Sequence, residues 1–451
     1  MDNQKSGVVR WIVLSMMIAA VALIAGCDKD EDNTPDPQPP QVAEYGSEAA
    51  QEWMGVLLDR VKTESLNPPF ASRIIGYTGV TMYECCVDGM PNNISLTGQL
   101  TDLGGLPSAQ TNVEYHWPAV VNAATSSVLL NLFAAKPASV TAINDKRATL
   151  HTQYAATVSD NVLNRSEAYG EAVATAINAW IAGDNYAVAI TNCTNYQPSG
   201  MPGRWEPTYP DYAPALLPCW GEMRHFLSTN ISSECEPGPP PTFSLEEGTT
   251  FRAEMDECYY SCSNASDEEE MIANFWADNP GATFTPPGHW VSILKQLAED
   301  HNYDLAKVVE TLAGLGVSQA DAFTLCWATK YQYDLIRPIT LYRELYDPEW
   351  NSIVGTPNFP EYTSGHSVQS GAASTVLEYF LGDVSFDDRT HTNNTVPLAP
   401  RHFDNFREAA DEAGISRLYG GIHFRAAIDN GLAQGRCIGG YVVALQFRAN
   451  S

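Results

Sequence analysis

The chain has 451 residues, with 25 Lys or Arg against 54 Asp or Glu, a formal net charge of -29 at neutral pH. A surface this acidic repels nucleic acid and anionic lipid headgroups, so neither is an expected partner. Any local cluster of cations in such a chain therefore needs a physical reason.

The first stretch reads as a targeting segment. Lys5 and Arg10 precede an apolar run, Trp11 to Ile24, that is short for a membrane span. It ends in Leu23-Ile24-Ala25-Gly26-Cys27, which resembles a bacterial lipobox with Cys27 as the lipidation site. Residues 1–26 are thus expected to be a lipoprotein signal peptide. Residues 27–45, acidic and then proline-rich, should form an extended tether that buries no core. The acidic residues just after Cys27 resemble a surface-export signal. The expected location is the outer membrane, facing the periplasm or the cell surface, through the lipid anchor.

The remaining ~400 residues, 46–451, suit one large domain or two smaller ones. Apolar residues recur with the helical period over Glu48–Val61 (Ala50, Trp53, Met54, Leu57, Leu58, Val61), with Ser47 as N-cap. Ser72–Cys86, Trp117–Ala134 and Glu167–Ala182 read similarly. Residues 183–267 are rich in Pro, Gly, Asn and Ser, which predicts a long irregular connection after an N-terminal helical part, 46–182. Helical patterning resumes in 268–451, over Glu268–Trp276, His289–Glu299, Leu305–Leu312, Ser318–Tyr333, His366–Leu381 and Phe403–Tyr419. No sustained two-residue alternation calls for a large sheet. The expected fold class is all-α.

Ten cysteines leave nine once Cys27 is set aside. Cys193, Cys219, Cys235, Cys258 and Cys262 crowd the irregular region, and an oxidising compartment would pair some of them. Their connectivity is not readable from sequence.

Three short motifs hold the chemistry. Lys330 and Arg337 are seven residues apart, about two helical turns, so a continuous helix places both cations on one face. Pro338 follows, compatible with a helix ending near Arg337. Phe359-Pro360-Glu361-Tyr362-Thr363-Ser364-Gly365-His366 opens a helix. There Ser364 and Gly365 occupy an N-terminus that favours anions, and His366 can exchange a proton near neutral pH. In Ser416-Arg417-Leu418-Tyr419-Gly420-Gly421-Ile422-His423, the glycine pair should break the helix and turn His423 inward. Each motif alone could be ordinary structure: a solvated helix face, a plain N-cap, a core histidine.

Together, in order and spacing, they resemble the signature of the vanadium-dependent haloperoxidases and the related type-2 phosphatidic-acid phosphatases. One substitution departs from it, Thr363 in place of a proline. Trp205-Glu206-Pro207, Leu217 to Gly221, Phe275 to Asp278 and Arg401 to Asp404 resemble further stretches of that family. Within it, the overall look is most similar to bacterial vanadium iodoperoxidases. The resemblance implies a helical-bundle fold enclosing an oxyanion site, with the N-terminal helices packed on that core so that 46–451 form a single domain. It implies vanadate as cofactor, His423 as metal ligand, and Lys330, Arg337, Ser364, Gly365 and Arg417 as oxyanion-binding residues. His366 would be the acid–base, Lys330 would polarise the peroxide, and Trp327 and Phe359 would line the halide side. The implied reaction is oxidation of halide, iodide most readily, by hydrogen peroxide. An acid phosphatase using a phosphohistidine at His423, and a non-catalytic oxyanion-binding lipoprotein, are the alternatives. One departure weighs on the first reading. The family's usual carboxylate four residues after the ligand histidine is here Ala427, and Asp429 is the nearest replacement in sequence. By looser analogy, Asp278 would partner Arg337.

Overall fold

A helix that is apolar all round belongs at the centre of a domain rather than on its surface. The stretch from Leu305 to Lys330 is apolar on most sides, with Glu310, Gln319 and Asp321 among its buried polar residues, and nearly all of it is buried. It lies in a computed structural model that describes residues 39–449. The expected signal segment, Cys27 and most of the tether fall outside the described residues.

Helices of eight residues or more are α1 (Glu48–Thr63), α2 (Pro68–Glu84), α3 (Trp117–Leu132), α4 (Pro137–Ala155), α5 (Asp160–Ile181), α6 (Thr250–Ser263), α7 (Asp267–Phe275), α8 (Thr285–Asp300), α9 (Leu305–Tyr333), α10 (Pro338–Leu345), α11 (Gly365–Leu381), α12 (Phe406–Tyr419) and α13 (Arg425–Val443). A two-stranded antiparallel ribbon, β1 (Phe386–Asp388) and β2 (Arg401–Phe403), is the only sheet among the described residues. The fold is all-α, as expected. From Pro40 onward the chain forms one compact unit.

The two halves predicted as separate helices, Leu305–Leu312 and Ser318–Tyr333, are one helix, α9, capped by the Asp304 carboxylate accepting from Lys307 N–H at 2.8 Å. Burying each of its Leu or Val side chains contributes roughly 1.5–3 kcal/mol. Its buried ionisable groups would cost several times that if unpartnered, and each is partnered. Asp321 accepts from Phe226 N–H and Leu227 N–H at 2.7 and 2.9 Å, and Glu310 takes Arg448 and Asn93.

α2 and α11 pack against α9, and α13 packs against α11. The α11–α13 crossing is so close that a Cβ on Gly435 would stand 1.9 Å from the Val368 carbonyl oxygen. Gly435→Ala should therefore force the two helices apart. Overpacking of this kind costs about 1–3 kcal/mol, readable as a lowered midpoint in urea unfolding.

The 183–267 connection departs from expectation. It contains α6, whose buried residues Phe251, Met255, Cys258 and Cys262 follow the helical period, and it is tied down. Cys193 pairs with Cys219, and Cys235 pairs with Cys437 on α13. Cys258 and Cys262 remain buried thiols, as neither meets another cysteine in bonding geometry. Trp205 N–H donates to Asp334 O at 2.8 Å, and Ile336 N–H to Gly203 O at 3.0 Å. The connection thus holds the link between α9 and α10 extended.

That link corrects the reading of Lys330 and Arg337 as neighbours on one helix face. α9 ends at Tyr333. Asp334 turns into the left-handed region at φ 51°, its N–H still bonded to Lys330 O. Arg337 is the extended N-cap of α10, and Pro338 opens that helix, where its missing N–H costs nothing.

Candidate active site

The second and third motifs line one cavity of about 390 Å³, and Arg337 of the first lies against two of its lining residues, Phe359 and His423. The cavity floor is polar, made by Gly365, His366, Arg417 and His423, and Trp327, Phe323 and Phe359 stand in its apolar wall.

His366 is delivered by α11. Ser364 is its N-cap, the hydroxyl accepting from Ser367 N–H at 3.3 Å. The N–H groups of the first turn have no partner within the helix and are aimed at anions. Packing does not demand glycine at 365: a Cβ there would meet nothing closer than the Phe323 ring at 3.8 Å. What glycine leaves open is the approach to the backbone from the cavity it lines. His366 Nε2 is buried with no hydrogen-bond partner. Its pKa is held well below the usual value, first by burial and then by Arg417, with Asp278 opposing.

Arg417 comes from the last turn of α12, where Nε donates to Ser416 Oγ at 2.9 Å and Nη2 to Ala273 O at 2.8 Å. The chain then turns at Gly421, φ +76°, and returns His423 to the cavity, as the glycine pair predicted. Arg337 donates Nε to Phe359 O at 2.8 Å and Nη1 to Ile422 O at 2.9 Å. It also stands 3.3 Å from His423 Nε2. Its Nη2 is buried without a partner. Burial lowers both arginines to about 10, so they stay cationic at neutral pH.

Lys330 is buried under the same floor, and its ammonium donates to Pro360 O and Glu361 O, both at 3.0 Å, and to Thr363 O. Three N–H bonds are all an ammonium has. In this geometry Lys330 holds the 360–363 loop that carries Phe359 and Ser364, while burial pushes its pKa down to about 7. Its charge still reaches the cavity. Lys330 Nζ and Arg337 Cζ lie 5.0 and 4.9 Å from the centroid of the Phe359 ring, which packs on Trp327 at 4.8 Å.

The residue that motif reasoning missed is Glu361. Its Oε1 accepts from His423 Nδ1 at 2.8 Å and from Phe424 N–H at 2.9 Å, fully buried. Arg337 Nη1 can only donate, so His423 Nε2 presents its lone pair to it and Nδ1 carries the proton directed at Glu361. Glu361 thus supplies the orienting carboxylate that Ala427 lacks, and Asp429 does not: its side chain lies at the surface. Burial pushes Glu361 up to about 8, with Arg337 pulling it back. The signal was present inside the motif itself, an acidic residue in an otherwise apolar run leading into a buried helix start. Asp278 also differs from expectation. Its Oδ2 pairs with His289 Nδ1 at 2.8 Å rather than with Arg337, which is committed to carbonyls and to the Glu361 side. Arg401 and His402 are remote from the cavity: Arg401 pairs with Glu412, and His402 is exposed beside Asp387.

The geometry is a dry floor with an excess of fixed cations, a helix N-terminus and one lone-pair nitrogen, a set suited to a multiply charged oxyanion. Comparison with known proteins points the same way. Residues 310–450 match the family description "VCPO second helical-bundle domain". The vanadium chloroperoxidase of Curvularia inaequalis is 26% identical over 214 residues, 34% of this chain and 35% of that protein. The chain thus spans about a third of that curated relative. A solved structure described as the first bacterial vanadium-dependent iodoperoxidase is 36% identical, with a TM-score of 0.81, covering 90% of this chain and 98% of that one. The chain belongs to the vanadium haloperoxidase family. Apo and holo structures of a bacterial vanadium-dependent chloroperoxidase, 15% identical with TM-scores of 0.65, share the haloperoxidase fold.

Proposed function

We propose that this chain is a vanadate-dependent haloperoxidase that oxidises halide, iodide most readily, with hydrogen peroxide: H2O2 + I− + H+ → HOI + H2O. The observation that carries the reading is the His423 ring, fixed by Glu361 so that Nε2 faces the cavity side beside Arg337. Two buried atoms without protein partners, Arg337 Nη2 and His366 Nε2, fit an oxyanion at the same floor. His423 Nε2 would hold the vanadium. Arg337, Arg417, the Ser364 hydroxyl and the Gly365 N–H would hold the oxygens, and Lys330 would contribute charge through the loop it clamps. Bound vanadate supplies Lewis acidity that activates peroxide toward a nucleophile. His366 Nε2 would hold the proton that leaves with the departing peroxide oxygen as water. Trp327 and Phe359 exclude water from the halide side. The two cations against the Phe359 ring favour a large, weakly hydrated anion there, which suits iodide.

The direct assay compares iodide, bromide and chloride oxidation by the purified chain with orthovanadate, alongside nitrophenyl-phosphate cleavage. Iodide oxidation that needs both vanadate and peroxide is expected. Cleavage inhibited by vanadate, without halide oxidation, would make the chain a phosphatase. Silence in both would leave an oxyanion-binding protein.

Glu361→Ala should weaken vanadate binding roughly 10–100-fold, the usual effect of removing a histidine ligand's orienting partner. Equilibrium titration of the variant with orthovanadate checks it. We further propose that the protein is exported and lipid-anchored to the outer membrane through Cys27. Two disulfides in the exported part support an oxidising compartment. Cys27→Ser should move the protein from the membrane fraction to the soluble one.

A further inference from the structure

Away from the oxyanion floor, three residues from separate segments meet in the dry interior. Asp278 follows α7, His289 lies in α8, and His391 stands three residues beyond β1. None of the three is more than 2% exposed. One nitrogen or oxygen atom from each lies within 4.8 Å of the others. His289 Nδ1 is 2.8 Å from Asp278 Oδ2, and His391 Nε2 is 3.6 Å from Asp278 Oδ1. The two imidazole rings stand edge to face at 4.9 Å, Trp276 stacks on His289 at 4.5 Å, and Phe275 packs on His391 at 4.9 Å. This packing holds both rings in place.

Two of these atoms are orphans. Asp278 Oδ1 and His391 Nε2 have no hydrogen-bond partner among the described residues, and neither is open to solvent. At 3.6 Å they do not bond each other. Buried polar atoms left this way call for a ligand. A doubly protonated His289 could bridge Asp278 and Asp388, whose Oδ2 is 2.6 Å from His289 Nε2. That bridge accounts for Asp278 Oδ2 but leaves both orphans unpaired. It also leaves one net negative charge buried among the three side chains, which is costly. A divalent cation at the centre partners both orphans. It displaces the proton on His289 Nδ1, and two carboxylates with two neutral imidazoles then balance its charge.

The surroundings suit a metal centre. Asp388 fixes His289, its Oδ2 taking the Nε2 proton while its Oδ1 accepts from Thr390 N–H at 2.9 Å, so Nδ1 is turned to Asp278. Asn394 lies 2.8 Å from His391 Nδ1 and takes Lys62 Nζ on its oxygen at 3.0 Å. Coordination through His391 Nε2 puts the ring proton on Nδ1. A half-turn of the Asn394 amide presents its oxygen to that proton, leaving the half-buried Lys62 to solvent. Ligand atoms about 2.0–2.1 Å from a tetrahedral zinc stand roughly 3.3 Å apart, between the 2.8 and 3.6 Å spacings found. Imidazole with carboxylate favours a first-row transition metal over calcium or magnesium, which take oxygen. A closed cage with no open position is the form of structural zinc sites. Asp278, His391 and Asn394 also line a second cavity, of about 560 Å³, whose exposed Asp267 and Glu270 would draw a cation inward.

We propose that the two carboxylate oxygens of Asp278, His289 Nδ1 and His391 Nε2 bind one divalent transition-metal ion, zinc by fit, in a structural centre separate from the oxyanion floor. The ion ties together the segment after α7, the helix α8 and the turn after β1. Ala277, Asp278 and Asn279 line both the second cavity and the active-site cavity, so the ion stiffens the wall between them. Asp278 stands in the left-handed region at φ 48°, a conformation kept only where the surroundings hold it.

The test uses the untagged purified chain without vanadate, freed of metal by dialysis against a chelator and titrated with zinc alone. Wild type should bind one zinc per chain at micromolar concentration or below, and its melting temperature should rise as zinc binds. His423→Ala, which removes the histidine of the oxyanion floor, should bind zinc equally. His391→Leu and Asp278→Asn should weaken binding by more than roughly 100-fold, beyond the cost of losing an orienting partner alone. Zinc should no longer raise their melting temperatures. X-ray absorption at the zinc edge of the wild-type chain should show two imidazoles with oxygen and no sulfur. A wild-type chain that takes up no zinc at micromolar concentration, undiminished binding in His391→Leu or Asp278→Asn, or binding lost in His423→Ala would overturn the centre. If neither ligand variant folds, the wild-type absorption edge decides, and sulfur ligands or fewer than two imidazoles would count against it.

Discussion

His423→Ala should reduce vanadate-dependent iodide oxidation to the rate seen without the variant chain. No other group on the cavity floor can take the ligand's place. Arg337 and Arg417 are protonated and offer no lone pair, His366 is needed as the acid, and the Ser364 hydroxyl caps α11. The fold should survive the change. Glu361 loses the imidazole N–H, but burial has already raised it to about 8, so it can take a proton rather than remain an unpaired buried anion. Rates at saturating vanadate and peroxide, with circular dichroism as a check on folding, measure the effect. Undiminished activity in a folded variant would place the ligand elsewhere.

His366→Ala should separate binding from turnover. The ring lines the cavity, with Nε2 free of protein partners. Its removal leaves Arg337, Arg417 and His423 in place, so vanadate affinity should change little. Turnover should fall by roughly 10²–10⁴, the contribution of a positioned general acid. The pH dependence carries the sign. Burial and Arg417 hold His366 below its ordinary range, so it keeps a proton poorly, and wild-type turnover should decline as pH rises. An anion bound beside Arg417 would offset part of that depression. The variant, with no imidazole to deprotonate, should lose this decline. Steady-state rates across pH, paired with vanadate titration, check both halves.

The site was more legible in the sequence than the fold around it. Lys330, Arg337, Ser364, Gly365, His366, Arg417 and His423 sit in short motifs whose residue types are costly to bury without a purpose, and all seven meet at or beneath one cavity floor. Glu361 went unread because its role depends on a partner 62 residues away, a pairing that local spacing does not encode. The one-face reading of Lys330 and Arg337 failed because helical arithmetic assumes an unbroken helix, and the left-handed Asp334 ends it three residues earlier.

Among the helices, those with a wide apolar stripe were readable and those without were not. α4 buries only Ser139, Ile143 and Leu150 along its length, too sparse for a pattern. α13 buries a stripe interrupted by Gly431, Gly435 and Gly439, and glycine scores against a helix in local propensity. α6 had the right period, 251, 255, 258, 262, but sat inside proline-rich surroundings that masked it.

One titration tests the central claim most directly. Purified chain stripped of metal is titrated with orthovanadate while peroxide-dependent triiodide formation is followed in parallel with bound vanadium. The rate should rise from background and saturate at one vanadate per chain, and Glu361→Ala should need far more vanadate to reach the same plateau. Iodide oxidation that ignores vanadate, or vanadate that binds without any gain in rate, would contradict it.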